Sequence, residues 1–183
     1  SWAHDIHAYH SFITKENINN LLQRNGFEGE IGLLHIDIDG NDYWIWDTIN
    51  VVKPIILILE YNSLFGAENT WTIPYAADFF RTNSHHSNLY YGASLASLVN
   101  LSEKKGYVFI GCNTAGNNAY FVKKEFAKDL KPKTSQEGYV EAQFRESRDE
   151  KGKLTYLNKE QQLELIKGLP IVNTQTMKTE KIQ

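Results

Sequence analysis

The stretch Ile31-Gly32-Leu33-Leu34-His35-Ile36-Asp37-Ile38-Asp39-Gly40-Asn41-Asp42 starts apolar, gathers carboxylates at its end and then breaks at glycine. A continuous apolar run of this kind suits a parallel strand buried on both faces, central in its sheet. The run Ile55-Ile56-Leu57-Ile58-Leu59-Glu60-Tyr61-Asn62 repeats the pattern, again finishing in polar residues. Between the two, Asn41 can cap a short helix that carries Trp44, Ile45, Thr48, Ile49 and Val52 on one side, until Lys53-Pro54 ends it. Strand, helix and strand in so few residues make a βαβ unit with a right-handed crossover.

Toward the amino terminus, residues 14–25 read as a helix. Thr14 can cap it, Ile18, Leu21 and Leu22 recur at helical spacing, and Gly26 stops it. In the other direction, residues 63–91 show no period and carry Gly66, Pro74, many aromatics and His85-His86, so they read as a long loop of the kind that holds function. Ser94 then opens a helix with Leu95, Leu98, Val99 and Leu101 on its buried side. Residues 107–112 and 119–122 follow as strands joined by the short link Asn113-Thr114-Ala115-Gly116-Asn117-Asn118, which implies an antiparallel hairpin. The fold class is α/β, in residues 1–125. Residues 126–183 turn charged and hold one capped helix, 158–167; this extension packs on the domain or wraps a partner.

Composition narrows the function. The chain has 183 residues, 42% of them hydrophobic, enough for a real core. A net charge of -3 supplies no positive field for nucleic acid or an anionic membrane. One cysteine, Cys112, excludes an internal disulfide and a Cys-rich zinc site and fits the cytoplasm. No apolar run reaches the roughly 20 residues that span a bilayer.

Strand alternation puts His35, Asp37 and Asp39 on one face, at the carboxyl end where open α/β sheets bind ligands. Glu60 and Asn62 share a face at the same end of the second run. If the strands are neighbours, Asp37, Asp39, Asp42, Glu60 and Asn62 converge. Gathering so many acids requires a cation, a protonated partner or ligand hydroxyls. An oxygen-rich set suits Mg²⁺ or Mn²⁺ rather than zinc. The competing structural reading has Asp39 capping the next helix and Glu60 paired with a tail Arg or Lys. His4, His7 and His10, at three-residue spacing, read as an exposed segment. His85 or His86, in the long loop beside Tyr90-Tyr91, is a candidate general base. Trp44, Trp46, Tyr61, Trp71, Tyr75, Tyr90 and Tyr91 flank the strand ends and suit stacking on a sugar, or ordinary packing. No G-x-G-x-x-G occurs.

The segment Leu33 to Asp42, with Ile13-Thr14-Lys15-Glu16-Asn17-Ile18-Asn19 before it and Ile58-Leu59-Glu60-Tyr61-Asn62 after it, resembles the FkbM-like S-adenosylmethionine-dependent methyltransferases. Tyr90-Tyr91-Gly92-Ala93-Ser94, Gly111-Cys112-Asn113 and Asn118-Ala119-Tyr120-Phe121 resemble segments of a subgroup found beside polysaccharide and surface-sugar genes. The resemblance spans about residues 10–125 and implies a class I, Rossmann-like sheet, mostly parallel, with a final antiparallel pair. In the family a Gly-rich loop and a ribose-binding acid precede the region matched here. The resemblance therefore implies the carboxyl-terminal half of such a domain, with the cofactor-binding residues upstream of Ser1; the start at Ser1-Trp2, with Met177 the only methionine, is read the same way.

The activity that the resemblance implies is S-adenosylmethionine-dependent O-methyl transfer, or the acceptor-side half of it, to a hydroxyl of a sugar or surface-polysaccharide precursor. Asp37, Asp39, His85 and His86 are its catalytic candidates and Asp42, Tyr61, Tyr90 and Tyr91 its substrate-binding ones. By resemblance to metal-dependent O-methyltransferases of the same fold class, Asp39, Glu60 and Asn62 are the Mg or Mn candidates. Expected partners are a small-molecule or glycan substrate, with homo-oligomerisation open. Two alternatives stand: a metal-dependent glycosyltransferase using Asp37-Ile38-Asp39 as its D-x-D, and a non-catalytic half-domain.

Overall fold

The computed structural model describes residues 4–144 and 146–183. In chain order they form α1 (Ile18–Arg24), β1 (Gly29–Ile36), α2 (Asp42–Thr48), β2 (Val52–Glu60), a 3-10 turn (Ser63–Phe65), β3 (Trp71–Thr72), α3 (Arg81–Ser84), α4 (Leu95–Lys104), β4 (Tyr107–Cys112), β5 (Asn118–Lys123), a second 3-10 turn (Lys124–Phe126), α5 (Ser135–Gly138), α6 (Lys159–Ile166), β6 (Pro170–Asn173) and β7 (Lys178–Lys181). The main sheet has the order β1-β2-β5-β4. β1 and β2 are parallel neighbours, with Ile36 opposite Leu59, so the acids beyond each strand emerge side by side. β5 runs antiparallel to both β2 and β4, as the short Asn/Gly link requires.

One face of this sheet is a packed core. Leu57, Leu59, Ala119, Phe121 and Phe109 are buried there against Ile45 and Trp46 of α2 and Leu95 and Leu98 of α4. Two side chains tie the helices in place: Trp46 Nε1 donates to Ser102 Oγ at 3.1 Å, and Lys105 Nζ donates to the Asp47 and Ile49 carbonyls at the end of α2. The opposite face is bare among the described residues, with Leu33, Ile56 and Tyr120 53%, 39% and 37% exposed. That corrects the expectation for β1. Among the described residues it is an edge strand, not a central one, with no layer on its second face; an apolar run reads as a buried strand whether or not a neighbour is present to bury it.

The long loop is also more ordered than its composition suggests. β3 pairs with β6, and β6 with β7, giving a second, antiparallel sheet over a core of Leu64, Phe65, Ile73, Tyr90, Ile166, Ile171 and Ile182. The charged extension packs on the domain: Tyr90 Oη donates to the Pro170 carbonyl and Tyr139 Oη to the Ser63 carbonyl. Its helix α6 starts where expected, under a capping box in which Asn158 and Gln161 each bond the other's backbone N–H. At α1 the expected Thr14 cap gives way to Asn17 at the N-cap position. No helix of the described residues is long and apolar enough to cross a membrane.

Candidate functional site at the strand ends

Beyond Ile36 the chain leaves β1 and turns at Asp39, whose φ of 56° is in the left-handed region that Asp and Asn tolerate better than most residues. The turn breaks the strand's alternation. His35 and Asp37 stay together, 3.9 Å apart, but Asp39 swings out to meet Arg81 of α3, Nη1 to Oδ1 2.5 Å. Gly40 is required by crowding: a Cβ there would overlap the ring of Phe79. Asn41 holds the N-cap position of α2 without capping it; its Nδ2 donates to the Ala76 carbonyl. That bond fixes which end of the amide is oxygen, and Asn41 Oδ1 is left buried with no hydrogen-bond partner among the described residues.

The acids are accommodated in three different ways. Asp42 is fully buried, and its two oxygens accept from the N–H groups of Ile38 and Gly40 at 3.0 and 2.9 Å. Burial outweighs those bonds and pushes its carboxyl up to about 6. Asp39 has the Arg81 guanidinium. Glu60, 7% exposed, has neither: its Oε2 is buried without a partner among the described residues. Burial, reinforced by the nearby Asp42 and Asp37, pushes its carboxyl up to about 9, so it is protonated at neutral pH. Arg81 is positioned by its own contacts, its Nε donating to the Asn88 carbonyl at 2.9 Å and its guanidinium lying 3.6 Å from the centre of the Tyr91 ring.

Arg81 separates two cavities. The larger, 390 Å³, is walled by Phe12, Ile13, Ile38, Phe79 and Phe80 and floored by Asp39 and Asn41. The smaller, 320 Å³, is lined by Glu60, Asn62 and Tyr91 from the sheet side and by Ala142, Phe144, Glu146 and Gln162 from the charged extension. Arg81 and Glu146 border both. The strand ends thus bring together Asp39, Asp42, Glu60 and Tyr91.

Other expected residues lie elsewhere or are occupied. Asn62 is a brace, with Nδ2 donating to the Leu89 and Tyr91 carbonyls and Oδ1 accepting from Leu64 N–H. Asn62 is thus bonded within the fold, and Asp39 pairs with Arg81. Among the described residues, no group of three or more His, Cys, Asp or Glu is placed to hold a metal. Tyr61 is buried on the core side, its hydroxyl donating to the Val140 carbonyl, and Tyr90 belongs to the second core. His85 and His86 have rings 4.3 Å apart and line neither cavity; burial and the His86 charge lower the His85 pKa, and its Nδ1 pairs with Ser87 Oγ. His4, His7 and His10 are exposed in an irregular segment. Cys112 is half-buried, its thiol pushed up to about 11 by burial, and so is a poor nucleophile.

Arg81, Asn41 and Glu146 have no local signature that sequence reading could use. The one clue to Arg81 was the surplus of acids at the strand ends, which called for a cation. Chemically, a neutral buried carboxyl beside a guanidinium–carboxylate pair can donate to a ligand oxygen, accept a proton from it or orient a hydroxyl. Comparison with models of known protein families, with curated proteins and with solved structures returned no match.

Proposed function

We propose that the strand-end cleft is the acceptor side of an S-adenosylmethionine-dependent O-methyltransferase acting on a sugar hydroxyl. The observation that carries this reading is Glu60: a buried, unpartnered carboxyl facing a cavity, beside Asp39 and Arg81, at the carboxyl ends of two parallel strands. The adjacency of β1 and β2 and the antiparallel β4–β5 pair agree with the fourth, fifth and last strands of a class I methyltransferase sheet. The bare second face agrees with a sheet that lacks one of its two helical layers, as a half-domain would.

Methyl transfer is an in-line displacement, so a protein mainly aligns the acceptor oxygen and removes its proton. In this reading Asp39 and Arg81 orient the hydroxyl. Asp39, on the floor of the larger cavity, is the carboxylate that takes the proton, while Glu60 holds the substrate by hydrogen bonding. His85 and His86, outside both cavities, have no part in that step. Asn41, Phe79 and Phe80 are the residues of this chain that fit the flat, amine-bearing base of S-adenosylmethionine, which supplies the electrophilic methyl group when bound.

The glycosyltransferase alternative needs Asp37 and Asp39 to hold a metal together, and the Arg81 pair on Asp39 argues against it. Calorimetry on the complete protein separates the two. Heat of binding with S-adenosylmethionine and none with a nucleotide sugar plus Mn²⁺ is expected; the reverse would overturn the proposal.

A further inference from the structure

We infer that the smaller cavity takes an amine-bearing sugar, its ammonium group lodged between Glu60 and Glu146. This rests on the reading of the acceptor as a sugar and adds its chemical class. The cavity, at the small end of the roughly 300–1,000 Å³ typical of small-molecule sites, has two carboxyls in its wall, and Arg81 is the only cation lining it among the described residues. Arg81 is already committed to a third carboxylate, Asp39, and seated on Tyr91. The groups that act on Glu60 are Asp37 and Asp39 from the turn after β1, Asp42 from α2 and Arg81 from α3, with Tyr91 and Glu146 in the same wall. Arg81 is the one cation among these groups, Tyr91 carries a neutral phenol, and the others are carboxyls.

A neutral hydroxyl can share a hydrogen bond with protonated Glu60 but leaves that surplus of negative charge unmatched. An ammonium group matches it and supplies three donors to oxygens that lack them. No covalent bond to carbon changes on binding. The Glu60 and Glu146 carboxyls accept from the ammonium N–H groups. Buried unpartnered polar atoms are rare in folded proteins, and a bound donor explains this one.

Titration calorimetry with D-glucosamine and D-glucose at pH 6.5 tests the inference. Glucosamine is expected to bind about tenfold or more tighter than glucose. Glu60→Gln should bring glucosamine down toward the affinity of glucose, and Glu146→Gln, on the exposed rim, should weaken glucosamine several-fold while keeping it. Equal affinity for the two sugars, or no binding of glucosamine, would overturn it. Selective glucosamine binding without methyl transfer would refute only the proposed function; methyl transfer to glucose with no preference for glucosamine would refute only this inference.

Discussion

Glu60 shows how a residue's chemistry is set by what surrounds it. Its carboxyl has an ordinary value near 4.5 in the unfolded chain and about 9 in the folded one, so between those values the native state holds a proton that the unfolded state has lost. Stability therefore falls as pH rises through that window. Asp42, raised to about 6, adds a smaller loss of the same sign below pH 6. Glu60→Gln, which keeps the shape and cannot ionise, is expected to raise stability by about 1–3 kcal/mol at pH 8 and by little at pH 5. Thermal melts of both proteins across pH 5–9 would show it, and parallel curves would contradict it. Gly40 is a second site where one atom decides: Gly40→Ala must displace Phe79, a wall of the larger cavity, and should cost about 1–3 kcal/mol by overpacking. The acids near the strand ends were legible in the sequence because they follow apolar runs. Their partners were not, since Arg81 reaches Asp39 across 42 positions and nothing local marks such a meeting.

The elements divide by how local their signals are. β1, β2, α4, the β4–β5 hairpin and α6 announce themselves through apolar period, turn residues and caps, all within a few positions. β3, β6 and β7 do not: they are two to four residues long, and β3 pairs Trp71 with Asn173 across the chain. The two faces of the main sheet were equally hidden, because Leu33 and Leu57 are the same residue type in similar runs. Only packing separates them. Leu57→Ala, in the core, is expected to cost about 2–5 kcal/mol, and Leu33→Ala, on the bare face, under about 0.5 kcal/mol. Chemical denaturation measures both; equal losses would mean that the bare face is covered in solution.

For the whole molecule, two layers of order meet at one edge. The parallel pair β1–β2 delivers acids to its carboxyl end, and the charged extension returns to wall that edge with Ala142, Phe144, Glu146 and Gln162. A sequence can suggest the first by alternation, but the second depends on long-range pairing through β3 and β6. The resulting cleft has a protonated acid, an ion pair and two cavities, and the reaction proposed for it is methyl transfer to a sugar hydroxyl. The most direct test is transfer of labelled methyl from S-adenosylmethionine to glucosamine or glucose by the complete protein, compared with its Asp39→Asn variant. Asn tolerates the left-handed backbone at this position but cannot form the ion pair with Arg81. Incorporation by the wild-type protein that falls about 10²-fold or more in the variant, with the melting profile retained, is the predicted result; no incorporation, or undiminished incorporation by the variant, would contradict methyl transfer at this cleft.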